Sequence, residues 1–424
     1  MGIRVGSHSA IMLAVILLLS GCGGDRSNDG PDNGLNTGSA EPADSAEPAS
    51  AGGAPSEDSQ AAPMTFNESE DDSMEYQHSE FGQTEDGRTI EQYTLTNSAG
   101  TVVRLINYGA TVVAVETKDQ EGQLDNIVLG HNSIEQWLQN ACYFGCTVGR
   151  FGNRIGNSVF GLGDNIYRLP ANDGANHLHG GLKGFSRVLW DAEASSDATS
   201  ASVVFSRISP AGEEGYPGNL EVTVTYTLTE ENELRIDYEA TTDATTVVNL
   251  TNHCYWNLTG NAAAESVLDH RLQLFCNLYL PVDESLLPTG DSLAVADTPM
   301  NFFEPQSIGS RIAEVDGGYD HCYVVNRDVD GLAPVARVTD PQSGRVMDIF
   351  STEPGVQFYS GNFLDGSDAT GGFARHHGFC LETQHYPDSP NHPLFPSTVL
   401  EPGDVYQSTT IHKFSTQVRG TSPE

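Results

Sequence analysis

The chain has 424 residues, with 58 acidic against 20 basic side chains and a formal net charge of −38. A field of this sign disfavours nucleic acid and other phosphate-rich partners, although a solubilising acidic surface would explain the charge equally well. From Ser79 onward the chain is long enough to bury a large core in one domain or two.

Residues 1–22 have the pattern of a lipoprotein signal peptide. Arg4 precedes an apolar run at residues 10–19, which is too short to cross a membrane as a helix. The run ends in small residues and Cys22, in a pattern that resembles the bacterial lipobox, whose cysteine is lipidated. An ordinary signal peptide cut nearby is the alternative. We therefore expect an exported protein, a periplasmic or cell-envelope lipoprotein that touches a membrane only through a lipid anchor on Cys22.

Residues 23–78 are predicted to be a disordered acidic linker. They contain Gly, Ala, Pro and Ser, with 13 acidic residues against one basic residue, Arg26. Such a composition lacks the apolar content that would offset the entropy of folding, and its like charges repel. As a random coil it would span about 40 Å. The folded domain is then expected at residues 79–424.

Six cysteines remain besides Cys22, and they are predicted to be free thiols. An even number in an exported chain permits disulfides, but the spacing is not that of a disulfide framework. The Cys142-x-x-x-Cys146 pair has no matching second pair, so a zinc site is not favoured. The six are Cys142, Cys146, Cys254, Cys276, Cys322 and Cys380.

The folded part is expected to be all-β. Segments rich in Val, Ile, Thr, Tyr and Phe lie at residues 101–107, 203–206, 220–228, 234–240 and 346–350. In one of them Val222, Val224 and Tyr226 alternate with threonines, which is the period of a half-buried strand. Helical periodicity is scarce, with one short helix expected near Ser133, where a capping pattern starts. An antiparallel β-sandwich with few short helices follows.

Two arginines stand close together in a glycine-bearing segment at residues 149–155, although the chain is poor in basic residues. The guanidinium groups of Arg150 and Arg154 and the amide of Asn153 suit a polyhydroxylated ligand. The alternative is a structural ion pair, which is expected for one of the two arginines.

His177 and His179 are spaced so that both would lie on the same face of any strand. That arrangement could bind a metal, but it lacks a third ligand and a His-Glu-x-x-His pattern, so the sequence does not favour a metal site. Gly180 and Gly181 then indicate a tight turn that lets something approach the backbone.

A third histidine, His253, lies between an amide and aromatic side chains. Strand alternation would place His253 and Tyr255 on one face, and Cys254 and Trp256 on the other. On this motif alone, a buried structural histidine and a functional one are equally good interpretations.

Two later segments add polar groups beside aromatic side chains. Asp320 lies in the segment at residues 318–321, and Gln357 lies in the segment at residues 354–359. Carboxylates, amides and aromatic rings are the groups from which a sugar site is built.

The carboxylate of Glu382 lies within an otherwise uncharged, strand-like run at residues 378–384. Burying an ionised carboxylate is costly unless it is paired or hydrogen-bonded, and the usual reason for such a position is acid–base chemistry. The upstream histidines could supply the proton donor. Together these residues suggest an enzyme that moves protons.

The domain from about residue 80 to about residue 415 closely resembles the aldose 1-epimerases, also called galactose mutarotases. The ordered matches lie at residues 107–110, 149–155, 178–181, 213–218, 252–253, 280–284, 320–321, 354–359 and 379–384. The resemblance implies an antiparallel β-supersandwich that uses no metal or organic cofactor. It also implies an isomerase that interconverts the α and β anomers of free aldohexoses such as glucose and galactose.

Carried over by position, Glu382 resembles the family's general base and His253 its general acid. His179 resembles the second active-site histidine. The remaining sugar-binding positions are Asn153, Arg154, Tyr255, Asp320 and Gln357. Cys254 and Trp256 depart from the serine and phenylalanine that are common in the family, which bears on specificity rather than on proton transfer.

In this chemistry Glu382 removes the C1 hydroxyl proton while His253 protonates the ring oxygen. Free glutamate and histidine have pKa values of about 4.3 and 6.5, so modest tuning would keep both groups ionised together near neutrality. Three alternatives remain open: a non-catalytic carbohydrate-binding lipoprotein, a hexose-phosphate epimerase, and a glycoside hydrolase that uses Glu382 with Asp320. The sequence contains no feature that marks an oligomeric interface.

Overall fold

The chain folds almost entirely into short β-strands. A computed structural model describes residues 74–327 and 331–417. The predicted signal peptide, with Cys22, and nearly all of the predicted linker lie outside the described residues. Met74 is the first described residue, and β1 starts directly after it.

The strands of the amino-terminal half are β1 (Glu75–Gln83), β2 (Thr89–Thr96), β3 (Val102–Ile106), β4 (Thr111–Lys118), β5 (Leu124–Asn126), β6 (Thr147–Val148), β7 (Arg154–Ile155), β8 (Val159–Leu162), β9 (Asn165–Arg168), β10 (His177–Leu178), β11 (Asp191–Ser196), β12 (Ser200–Ser209), β13 (Leu220–Thr229) and β14 (Glu233–Thr242). Those that follow are β15 (Thr246–Val247), β16 (Thr251–Asn252), β17 (Arg271–Leu274), β18 (Cys276–Tyr279), β19 (Leu293–Ala294), β20 (Gln306–Ser307), β21 (Asp320–Val325), β22 (Ala333–Thr339), β23 (Arg345–Ser351), β24 (Gly355–Tyr359), β25 (Cys380–Gln384), β26 (Val399–Leu400) and β27 (Tyr406–Thr416). The helices are α1 (Ile134–Gln139) and single 3-10 turns at Gly156–Ser158, Phe185–Arg187, Glu213–Gly215, Ile308–Ser310, Ile312–Glu314, Asp368–Thr370 and Ser389–Asn391.

Three larger sheets carry the fold, and every pair of these strands is antiparallel. The first has the order β1-β2-β3-β4-β5. The second has nine strands, in the order β11-β12-β13-β14-β27-β23-β22-β17-β20. The third has the order β19-β18-β21-β24-β25, which places β25 at an edge. The predicted all-β architecture is confirmed.

Alternation along the strands builds one main core. In β13, Val222, Val224 and Tyr226 are buried while the threonines between them are partly exposed, as the sequence pattern predicts. Buried apolar side chains of β2 to β4, of β12 to β14 and of β21 to β25 form one continuous cluster. Burial of apolar surface on this scale is the dominant favourable term in folding.

Several local expectations can be compared directly with the structure. The predicted helix is α1, and the Ser133 hydroxyl caps it by accepting the Gln136 N–H. β1 begins at Glu75, so residues 75–78, which composition placed in the linker, belong to the first sheet. Backbone pairing with β2 stabilises this exposed strand, and pairing needs no apolar side chains.

The six cysteines of the described residues are free thiols. No helix among residues 74–327 and 331–417 is long and apolar enough to cross a membrane.

Candidate active site

One face of the third sheet carries the polar side chains of the site. Gln357 of β24 lies directly opposite Glu382 of β25, and Tyr359 lies between Asp320 of β21 and Cys380. Because residues directly opposite or two apart share a face, all five side chains point to the same side. The other face of these strands belongs to the main core. Strand alternation therefore separates the polar site from the apolar core.

His253 directly follows β16, and two backbone hydrogen bonds hold it in place. Its N–H donates to the Cys146 carbonyl at 3.0 Å, and its carbonyl accepts the Gly145 N–H at 3.0 Å. His253 and Tyr255 line a cavity, whereas Cys254 and Trp256 join the main core. The predicted division of this motif between two faces is confirmed.

His253 and Glu382 form a close, buried pair. Nε2 of His253 lies 3.7 Å from Oε1 of Glu382, and their side chains are 6% and 3% exposed. Burial lowers the pKa of His253 to about 4. Burial also raises the pKa of Glu382 well above its usual value, with the negative charge of Asp320 adding to the shift and Arg154 opposing it. Both shifts follow from the cost of charge in a dry site.

These shifts are larger than the modest tuning expected from the sequence. Because burial disfavours both the Glu382 carboxylate and the His253 imidazolium, the pair can share one proton in either of two arrangements: imidazole with carboxylic acid, or imidazolium with carboxylate. Moving the proton between the two groups changes no net charge. The site therefore keeps a proton ready for transfer without holding an unbalanced buried charge.

His179 lies beside His253, with ring centroids 5.0 Å apart. The ring Nδ1 of His179 accepts a hydrogen bond from the backbone N–H of Asn153 at 3.2 Å. The backbone N–H of His179 donates to the Asn153 carbonyl at 3.1 Å. Burial and the neighbouring His253 and Arg154 hold the pKa of His179 well below its usual value, so the ring is neutral. A neutral imidazole that accepts at Nδ1 carries its proton on Nε2. His179 is therefore a hydrogen-bond donor.

The same tautomer bears on metal binding. His179, His253 and Glu382 offer ligand atoms that lie within 4.8 Å of one another. Nε2 of His179 carries a proton, so it has no lone pair for a metal unless the bond from Asn153 is lost. These three groups fit the recognition of a hydroxyl group better than they fit a metal ion.

The expectation that His177 and His179 share a strand face is wrong. β10 ends before His179, whose φ of 50° is left-handed. His177 instead bonds through its two ring nitrogens to the Pro170 carbonyl and the Tyr216 hydroxyl, so its role is structural. The turn after His179 requires glycine at position 180, because a Cβ there would lie 1.8 Å from the Gly149 carbonyl oxygen.

The two neighbouring arginines have different roles. Arg150 is buried, and its guanidinium donates to Ser209, to the carbonyls of residues 217 and 218, and to Thr246. Arg154 reaches the cavity, where its Nε donates to Asp173 Oδ2 at 2.8 Å. The ion pair expected for one of the two arginines is formed by Arg154, whereas Arg150 is held by hydrogen bonds to carbonyl and hydroxyl oxygens.

The cavity has a volume of about 560 Å³, within the range of small-molecule sites. It brings together seven of the eight predicted site residues, namely Asn153, Arg154, His179, His253, Tyr255, Asp320 and Glu382. The eighth, Gln357, does not line the cavity. Its Nε2 donates to Asp320 Oδ1 at 2.7 Å, so it supports a residue that does.

Tyr143 is a site residue that sequence reasoning missed. Its ring stacks on His253 at 5.8 Å and is tilted against His179 at 4.8 Å. Its φ of 60° is left-handed, which is unusual for a bulky residue. Asp173, which pairs with Arg154, was missed as well.

The chain is similar to known proteins along most of its described residues. The aldose 1-epimerase family model matches residues 91–413. Galactose mutarotase of Bos taurus is 44% identical over 331 residues, which cover 77% of this chain and 94% of the relative. Aldose 1-epimerase of Escherichia coli K12 is 37% identical over 338 residues, which cover 78% of this chain and 96% of the relative.

A solved structure gives the same result for the fold. The galactose 1-epimerase from Lactobacillus acidophilus superposes with a TM-score of 0.73 at 30% identity, covering 81% of this chain and 99% of that one. The expected antiparallel β-supersandwich of the galactose mutarotase type is therefore confirmed. The chain belongs to the aldose 1-epimerase family and is an isomerase of that family.

Proposed function

We propose that this protein is an aldose 1-epimerase that interconverts the α and β anomers of free aldohexoses such as glucose and galactose. The observation that carries the proposal is the buried pair at the cavity wall, with Nε2 of His253 3.7 Å from Oε1 of Glu382. A base and an acid this close can act on the C1 hydroxyl and the ring oxygen of one sugar.

The reaction needs only protons from the protein. In the imidazolium–carboxylate arrangement, Glu382 takes the C1 hydroxyl proton while His253 gives its Nε2 proton to the ring oxygen. The bond between C1 and the ring oxygen then breaks, and C1 becomes an aldehyde. Rotation about the C1–C2 bond presents the opposite face of the carbonyl. Ring closure returns both protons and yields the other anomer.

The remaining cavity groups are suited to holding sugar hydroxyls. His179 offers an Nε2–H donor, Arg154 a guanidinium, and Asn153 and Asp320 offer polar oxygens in the same cavity. Tyr255 stacks on His253 with ring centroids 5.1 Å apart and supplies an apolar wall. A site with few polar groups on an apolar wall holds a ligand in one orientation.

The alternatives are less well supported. A hexose-phosphate epimerase needs a basic cluster, yet Arg154 is the only arginine or lysine among the described residues that line the cavity. Arg154 is paired with Asp173, and Arg150 is held by backbone carbonyls. A non-catalytic sugar-binding protein would not need a buried acid–base pair, and relatives along most of the chain are named galactose mutarotase and aldose 1-epimerase.

Polarimetry tests the proposal directly. Freshly dissolved α-D-glucose and α-D-galactose should equilibrate faster with the purified protein than without it, in proportion to enzyme concentration. Glucose 6-phosphate is the comparison substrate, and we expect a much lower kcat/KM for it. Equilibration at the spontaneous rate for every free sugar, or a preference for the phosphate, would contradict the proposal.

The cellular location is a separate proposal, supported by the sequence of residues 1–22 alone. We propose that the mature protein is anchored in the cell envelope by a lipid on Cys22. In a bacterial host the full chain should label with radioactive palmitate and fractionate with membranes. Cys22→Ser should remove both properties. Label that persists in Cys22→Ser would exclude the lipid site.

A further inference from the structure

His253 is enclosed on most sides by ring systems. Tyr143 and Tyr255 stack on it at 5.8 and 5.1 Å, each with an interplanar angle of 27°, and the ring of His179 is 5.0 Å away at 81°. Stacking of this kind holds the imidazole plane but does not decide which nitrogen carries a proton. Polar contacts at the two nitrogens must decide that.

The polar contacts of the two nitrogens differ. Nε2 faces Glu382, whereas Nδ1 lies 3.6 Å from the thiol sulfur of Cys380. This separation is within hydrogen-bonding range for sulfur, which is a weak donor and a weak acceptor. Cys380 is completely buried and His253 is 5% exposed, so water does not compete readily for Nδ1.

We propose that Cys380 is a positioning residue for His253, with its sulfur accepting the Nδ1–H so that Nε2 is the nitrogen that gains and loses the catalytic proton. This inference rests on the proposed function, because it assigns the inactive nitrogen of the proposed general acid. It is the arrangement expected of a histidine that exchanges protons at one nitrogen while the other is held by a hydrogen bond.

A hydrogen-bond acceptor at Nδ1 stabilises His253 at both stages of a turnover. When His253 gives its Nε2 proton to the ring oxygen, the neutral imidazole that remains still carries a proton on Nδ1. A buried N–H without an acceptor is costly. The sulfur of Cys380 can accept a hydrogen bond from this N–H before and after the transfer. Burial raises the pKa of the thiol well above its usual value, so Cys380 remains neutral throughout.

The backbone fixes this relationship. Cys380 and Glu382 lie two residues apart on β25, so their side chains share a face. A single strand thus carries both the proposed base and the partner of the proposed acid. Any displacement of β25 would move the contacts at both nitrogens of His253 together.

The test is a tautomer measurement combined with kinetics on the full chain. In spectra of protein labelled with ¹⁵N-histidine, the His253 signals are assigned as those that are absent from the spectrum of the His253→Asn variant. We expect neutral wild-type His253 to carry its proton on Nδ1, and Cys380→Ala to shift the population toward Nε2–H. Cys380→Ala should also lower kcat by about three- to tenfold, with KM changing less than twofold. Cys380→Ser should restore part of the Nδ1–H population and part of kcat, since a serine hydroxyl can also accept a hydrogen bond from Nδ1–H.

Cys276→Ala is the matched control, because Cys276 is an equally buried thiol in the main core and is not a cavity residue. It should change neither the tautomer nor kcat. A wild-type Nε2–H tautomer, or a fall in kcat with an unchanged tautomer in Cys380→Ala, would overturn the inference. If Cys380→Ala does not fold, the inference is tested by the His253 tautomer of the wild type and by the tautomer and kcat of Cys380→Ser. The tautomer readout does not depend on turnover, so failure here is distinguishable from failure of the proposed function.

Discussion

Replacing the buried carboxyl of Glu382 by the amide in Glu382→Gln should abolish most catalysis and leave the fold intact. Glutamate and glutamine side chains have nearly the same shape, so the substitution creates neither a cavity nor a steric clash at this buried position, which is 2% exposed. Loss of a positioned base lowers kcat by about 10²–10⁴-fold, which corresponds to about 3–5 kcal/mol of transition-state stabilisation. The free energy of unfolding should change by less than about 1 kcal/mol, because a neutral amide replaces a group whose charge the site disfavours.

The assay is polarimetry of α-D-glucose with the spontaneous rate subtracted, together with urea unfolding of the same preparations. Glu353→Gln is the matched control, since Glu353 is also 2% exposed but does not line the cavity. Glu353 bonds His385 at 2.6 Å, so its loss should cost about 1–3 kcal/mol of stability with kcat nearly unchanged. A kcat for Glu382→Gln within tenfold of the wild type would refute the assignment of the base.

Three further outcomes are expected. His253→Asn should lower kcat at least tenfold with little change in KM, and a smaller loss measured by polarimetry would rule out His253 as the acid. Because the charge of Asp320 raises the pKa of Glu382, Asp320→Asn should lower that pKa and move the acid limb of the kcat–pH profile to lower pH; an unmoved or raised limb would contradict this. Burial lowers the pKa of His385, but the Glu353 carboxylate raises it by more, so the folded value lies above the usual one. The stability from this pair is therefore present below about pH 6.5 and is lost as pH rises through the folded pKa. Urea unfolding should show a larger difference between wild type and His385→Gln at about pH 5.5 than at about pH 9, and equal differences would be inconsistent with the ion pair.

The parts of the site that follow strand periodicity were predictable from the sequence. Glu382 could be found because a carboxylate in an apolar strand needs a chemical reason, and alternation correctly separated His253 and Tyr255 from Cys254 and Trp256. The resemblance to aldose 1-epimerases supplied the roles of these residues, which periodicity alone does not give.

The parts that depend on irregular backbone were not predictable in the same way. Strand periodicity places His177 and His179 on one face only if the strand continues, whereas the chain turns at His179. Tyr143 lies in a segment without periodicity, and Asp173 is one of 58 acidic residues, so neither carried a distinguishing signal. The pKa shifts of His253 and Glu382 arise from burial by segments that are distant in sequence, which no local pattern records.

The left-handed backbone at Tyr143, Asn153 and His179 has a consequence for engineering this scaffold. Such a conformation costs most non-glycine residues about 1–2 kcal/mol, and less at Asn153 because asparagine adopts it more easily, against a typical stability of about 5–15 kcal/mol. Glycine at any of the three would relieve the cost and would be favoured in a screen for heat resistance alone. Each such gain would remove a side chain from the cavity. Selection for thermostability without selection for turnover would therefore favour variants that have lost side chains from the cavity.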